Sequence, residues 1–175
     1  IWNDEKNQDG IRPEFITINL LANGEKVASK TVDATTDWSY SFTDLDKFHD
    51  GNEITYSVVE ETIVPEYVTS SDGNDIVNTH IPETVNLEGT KTWDDENNQD
   101  KERPETITVN LLANGSIVRS KEVTEADRWT YKFTNLPKFE NGVEITYTVS
   151  ENQVPKYSPT FDKMNIKNSY THKKT

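Results

Sequence analysis

Lys91, Glu151 and Asn168 are side chains that can react with one another, and strand parity places all three among apolar neighbours. In an extended chain, side chains alternate between faces. Ile145, Tyr147 and Val149 therefore share a face with Glu151, Val85 and Leu87 with Lys91 and Trp93, and Ile166 with Asn168. A buried charge is costly unless it is paired or neutralised, so the three polar groups are expected to meet. One outcome is a buried ion pair, with the asparagine satisfying leftover hydrogen bonds. The other is covalent. A dry aromatic pocket favours a neutral amine over ammonium and a neutral acid over carboxylate. The neutral amine is a nucleophile. A protonated glutamic acid can hydrogen-bond the carboxamide, make its carbon electrophilic and carry protons as ammonia leaves. The product is a Lys–Asn isopeptide bond, made once and without a cofactor.

Other constellations carry less chemistry. Asp94, Glu96, Asn98, Asp100 and Glu102 echo the oxygen spacing of a calcium loop, but Gln99 stands where that loop needs glycine. A solvated acidic loop is the better reading. His49, His80 and His172 have no metal-ligand spacing, and without cysteine a zinc site is not expected. Trp38 and Trp129 could stack on sugars, yet their alternation marks them as core. No Ser–His–acid arrangement presents itself, so neither an enzyme nor a metal or cofactor is expected.

The elements that must position these groups are short strands, and they occur twice. Trp2, Arg12-Pro13-Glu14 and Asn19 to Gly24 recur at Trp93, Arg103-Pro104-Glu105 and Asn110 to Gly115, an offset of 91 residues. After Glu60 and Glu151 the offset falls to 90, so Asn78 meets Asn168. Such self-similarity marks duplication, with modules over residues 1–82 and 83–175. Ile16, Ile18 and Leu20 alternate with polar residues, as do Trp38, Tyr40 and Phe42, then Ile54, Tyr56 and Val58. Asn23-Gly24 and Asn114-Gly115 are hairpin signals, since both positions must tolerate positive φ. Short strands and frequent turns predict a β-sandwich in each module. Only six residues, Pro82 among them, separate Asn78 from Val85. That joint is short and stiff, and predicts a monomeric rod of stacked modules.

Composition narrows the partners. Among 175 residues there are 18 basic and 31 acidic ones, a net charge of −13 that repels nucleic acid and anionic lipid. Neither a membrane span nor a signal peptide is evident, so a soluble, excised or mature segment is expected. Cysteine is absent. A small secreted domain usually needs a staple, and here it must be something other than a disulfide.

Several stretches together resemble the Cna protein B-type domain: Lys91-Thr92-Trp93-Asp94-Asp95, Asn98-Gln99-Asp100, Arg103-Pro104, Leu111 to Gly115, Tyr147 to Glu151 and Asn168-Ser169-Tyr170. The resemblance covers nearly the whole chain, twice. It implies two tandem seven-stranded inverse-immunoglobulin-like sandwiches, all-β, in a Gram-positive cell-wall-anchored surface adhesin. It also implies a spontaneous isopeptide bond in which Lys91 is the amine donor, Asn168 the acceptor and Glu151 the proton shuttle. In the first module Glu60 and Asn78 match Glu151 and Asn168, but the counterpart of Lys91 falls immediately before Ile1, so that module's first strand is truncated. No crosslink is expected there unless a lysine lies upstream; Lys6 sits in a polar loop and is a poor substitute. The implied role is an extracellular stalk or spacer on the bacterial surface, with host extracellular-matrix proteins engaged by other parts of the parent protein. Two alternatives remain: a module that binds a matrix protein through its own loops, and a pilus subunit. Divergence between Ile11-Arg12 and Glu102-Arg103 favours the spacer over the first, and the lack of a sortase motif disfavours the second.

Overall fold

A computed structural model describes residues 1–171. His172, for which no metal role is expected, lies outside the described residues. The chain divides into two compact units, Ile1–Pro82 and Glu83–Thr175.

Unit one contains β1 (Trp2–Asn3), β2 (Phe15–Ala22), β3 (Glu25–Asp33), β4 (Phe48–His49), β5 (Asn52–Glu53), β6 (Tyr56–Glu60), β7 (Val68–Asp72) and β8 (Asp75–Thr79). Unit two contains β9 (Thr84–Asp94), β10 (Thr106–Ala113), β11 (Ser116–Thr124), β12 (Thr130–Pro137), β13 (Phe139–Glu140), β14 (Val143–Glu144), β15 (Tyr147–Glu151), β16 (Ser158–Asp162) and β17 (Asn165–Ser169). Setting aside the two-residue hairpin β13–β14, unit two has the seven strands of the expected sandwich.

In unit two a three-stranded sheet, β11-β10-β15, and a four-stranded sheet, β12-β9-β17-β16, supply the two layers. Alternation fills the space between them. Ile107, Val109, Leu111, Tyr131, Phe133, Val149 and Ile166 are all buried in one cluster. The Asn-Gly turns fall where the sequence places them, with Asn114 and Gly115 at φ of 49° and 90°. The first long strand and the last are neighbours: β9 runs parallel to β17, with Ile166 opposite Lys91 and Asn168 opposite Trp93. Parallel neighbours cannot be joined by a tight hairpin, so the rest of the unit is the connection between them.

Unit one repeats this plan with one departure. Its sheets are β3-β2-β6 and β1-β8-β7, around Ile16, Ile18, Val32 and Ile76. The alternating run Trp38-Tyr40-Phe42 predicts a strand, but residues 39–43 have no strand structure, whereas their counterparts form β12. β12 is held by pairing with Thr84–Thr90 of β9, whose counterparts in unit one would precede Ile1, so residues 39–43 have no partner stretch here. Alternation supplies the apolar face, but a strand also needs a partner for its amides.

Candidate functional site: a buried amine, carboxyl and carboxamide

Unit two brings the three singled-out side chains together. Lys91 lies on β9 and Asn168 on the parallel β17, two residues further along and on the same face. Glu151 comes from the opposite sheet, at the end of β15, where it pairs with Val109. The carboxyl group thus enters across the sandwich and meets the other two from above.

Lys91 Nζ lies 3.3 Å from Glu151 Oε2, and both side chains are essentially inaccessible. Asn168 Nδ2 donates to Glu151 Oε1 at 2.7 Å. Glu151 therefore holds the amine on one oxygen and the carboxamide nitrogen on the other. Lys91 Nζ and Glu151 Oε2 have only each other, at ion-pair distance and without hydrogen-bond geometry, and Asn168 Oδ1 has no partner. Buried polar atoms are rarely left so, and their grouping here marks strain or chemistry.

The surroundings explain the electrostatics. The Trp93 ring stands 4.2 Å from Lys91 Nζ. Tyr131 crosses over Gly89 and donates its hydroxyl to the Met164 carbonyl. A Cβ at Gly89 would lie 2.6 Å from the Tyr131 ring, so glycine is required for that crossing. Burial pulls the Lys91 amine down to about 8, against the opposing pull of the Glu151 charge, and the Arg103 guanidinium adds a little to the lowering. Burial, helped by the Glu151 charge, pushes Tyr131 up to about 12. A lysine of this kind holds a substantial neutral fraction near pH 8, which a solvated lysine does not.

A second cluster, beside the first, was not expected. Asp95 accepts from Arg103 Nε and an Arg103 terminal nitrogen at 3.0 and 2.6 Å, from the Tyr157 hydroxyl at 2.8 Å and from the Asn98 amide at 3.0 Å. Arg103 also lies 5.1 Å from the Trp93 ring, so the clamp braces the aromatic that covers Lys91. It also holds a turn in which Glu96, Asn97 and Asn98 all have positive φ, although none is glycine. The one available signal was the repetition of Asp4 and Arg12 at Asp95 and Arg103. The remaining oxygens of this loop do not converge on a cation. Asn98 Oδ1 accepts from the Arg103 amide, Asp100 accepts from Tyr170, and Glu102 pairs with Lys156. Among the described residues no three His, Asp or Glu side chains gather closely enough to hold a metal ion.

Unit one keeps part of the arrangement. Asn78 Nδ2 donates to Glu60 Oε2 at 2.8 Å. Burial raises the Glu60 carboxyl, with the Asn78 hydrogen bond opposing the rise. Here the carboxamide oxygen is satisfied, because Thr69 donates to Asn78 Oδ1 at 2.6 Å. In unit two Pro159 faces Asn168 at the matching position and has no hydroxyl to offer. The Asp4–Arg12–Tyr67 cluster repeats the Asp95 clamp, with a 2.6 Å Arg12–Asp4 pair.

The profile of the Cna protein B-type domain matches residues 1–79 and 87–169. The chain is 40% identical over 177 residues to a collagen adhesin of Staphylococcus aureus, covering 97% of this chain and 15% of that protein. The crystal structure of two B repeat units of the collagen binding protein of Staphylococcus aureus superposes with a TM-score of 0.91 at 39% identity, covering 97% of this chain and 47% of that one. A single B repeat unit of the same protein gives a TM-score of 0.50 at 38% identity, covering 98% and 95%.

Proposed function

The chain belongs to the Cna protein B-type domain family, and on that premise we propose that it is a stalk segment of a Gram-positive surface adhesin, with unit two locked by a Lys91–Asn168 isopeptide bond. The observation that carries the reading is the buried triangle of Lys91, Glu151 and Asn168, with the amine at 3.3 Å from one carboxyl oxygen, the carboxamide nitrogen at 2.7 Å from the other and the carboxamide oxygen without a partner. The chain spans 15% of the collagen adhesin, so any contact with a host matrix protein is assigned to other parts of the parent protein.

The proposed step balances without a cofactor. The neutral Lys91 amine attacks Cγ of Asn168, forming a C–N bond. Glu151, already beside the leaving nitrogen, delivers a proton to it. The original Cγ–Nδ2 bond breaks and ammonia leaves. The attacking nitrogen returns a proton to Glu151, which ends as it began. Effective concentration does much of the work, because β9 and β17 hold the reactants side by side. Glu60 holds Asn78 in the same way and is assigned the same shuttle role, although no lysine of this chain stands at the position matching Lys91.

Intact mass of the denatured chain tests this directly. A deficit of one ammonia is expected, with the linkage mapped to Lys91 and Asn168 by peptide fragmentation. A full-mass chain with a folded unit two would leave the triangle as a polar cluster only.

A further inference from the structure

The two units differ at one buried position whose chemistry is plain. Tyr170 in unit two donates its hydroxyl to Asp100 Oδ2 at 2.9 Å. At the equivalent place unit one has His80, whose Nε2 lies 2.8 Å from Asp9 Oδ2. Its Nδ1 lies 2.9 Å from the Glu66 carbonyl oxygen. A carbonyl oxygen can only accept, and so can a carboxylate. Both ring nitrogens must therefore donate, and only imidazolium does that. The pair is well buried, with side-chain accessibilities of 9% and 3%.

The neighbours changed along with it. Glu66, whose backbone carbonyl accepts from the ring, stands where unit two has Lys156, and its negative charge favours the protonated imidazole where a lysine would oppose it. The groups around His80 are Asp9 from the loop after β1, Glu66 from the segment before β7, and Tyr67, whose ring lies 5.3 Å away. Asp4 and Arg12 lie behind Tyr67, on its hydroxyl. The His80 backbone closes the same junction, donating to Asn3 O at 3.0 Å.

We propose that His80, Asp9 and Glu66 form a proton-dependent latch between the end of β8 and the loop after β1, closed while the imidazole is charged, and that unit two has no equivalent. Burial works against the charged ring, but the Asp9 and Glu66 contacts outweigh it and His80 titrates above 6.5. A folded value raised above the unfolded one gives stabilisation that is complete below about 6.5 and lost as pH rises through the folded value. The latch therefore loosens on the alkaline side, independently of any crosslink in unit two.

Two measurements on the full chain decide the matter. Long-range proton–nitrogen NMR of the unmodified chain should show His80 doubly protonated at pH 6 and titrating above 6.5. A neutral tautomer at pH 6, or titration at or below 6.5, overturns the proposal. Native-state hydrogen exchange should show the His80 amide losing protection across the titration, about tenfold for each unit by which the pKa is raised, beyond the intrinsic base-catalysed rise. The Tyr170 amide, which donates to Asp94 O at 3.0 Å, is the internal control and should not follow. His80→Tyr should make the unit-one junction behave like unit two; an unchanged pH response in that variant also overturns the proposal. The NMR titration needs no variant, so a poorly folded His80→Tyr chain leaves the test intact.

Discussion

Glu151 accepts a 2.7 Å hydrogen bond from the Asn168 carboxamide nitrogen, the nitrogen that must leave if a Lys–Asn bond forms. The acid thus faces the group it has to protonate, and the same relationship recurs between Glu60 and Asn78 at 2.8 Å. Replacing Glu151 by Ala or Gln removes the shuttle but leaves the aliphatic core of unit two. The expected outcome is a folded chain of full mass, with no ammonia lost; circular dichroism and intact mass check both halves. Normal crosslinking in either variant would remove Glu151 from the mechanism.

The Lys91–Glu151 pair should set the pH dependence of the reaction. The reacting form keeps one proton on the pair, with the amine neutral and the acid protonated, and that proton is lost as pH rises through the Lys91 value of about 8. Bond formation should therefore slow above pH 8. A time course of ammonia loss by mass, after refolding freshly synthesised chain from denaturant at each pH, reads the profile. A flat profile would place the limiting step elsewhere.

Lys91→Met keeps much of the buried volume and removes the nucleophile. In the chain-entropy treatment used for disulfides, losing a tie across a loop of this length costs about 4–5 kcal/mol. The unit-two transition in thermal or guanidinium unfolding should fall accordingly while the unit-one transition stays put. An unchanged unit-two midpoint would contradict the stabilising role.

Asp95 should matter nearly as much without touching the reaction centre. Its carboxylate is raised by burial but lowered further by Arg103, Tyr157 and the Asn98 amide, and settles below the ordinary 3.8. A depressed folded value gives stabilisation that is full above the unfolded value and lost as pH falls through the folded one. Asp95→Asn should destabilise unit two by about 2–3 kcal/mol at neutral pH, somewhat less than a fully buried pair because Arg103 is partly exposed. It should also flatten the acid limb of the stability curve below pH 4. Equilibrium unfolding from pH 2 to 7 measures both.

The sandwich and the triangle were legible because both follow from period-two alternation. Lys91, Glu151 and Asn168 each break an apolar face, and a broken face points inward wherever the rest of it does. The Asp95 clamp escaped notice for the opposite reason. It sits in a loop, where parity says nothing, and its turn puts Glu96, Asn97 and Asn98 at positive φ without a glycine to announce it. Trp38-Tyr40-Phe42 shows that alternation describes a face and not a ladder: the stretch that pairs with its counterpart, Thr84–Thr90, maps to positions before Ile1. The contrast between Thr69 and Pro159 could not be weighed at all until the register placed each opposite its asparagine.

The adjacency of β9 and β17 also bears on what happens when the chain is cut. A bond from Lys91 to Asn168 would turn everything between them into a closed covalent ring, with the chain entering and leaving at almost the same point. A protease that nicked any loop inside that ring, such as the exposed Asn114-Gly115 turn, would open the circle without parting the molecule. Whatever lies beyond either end of unit two would still be attached through the Lys–Asn link. Severing the line would take cleavage of the Lys–Asn link together with a cut in the ring, or one cut outside it.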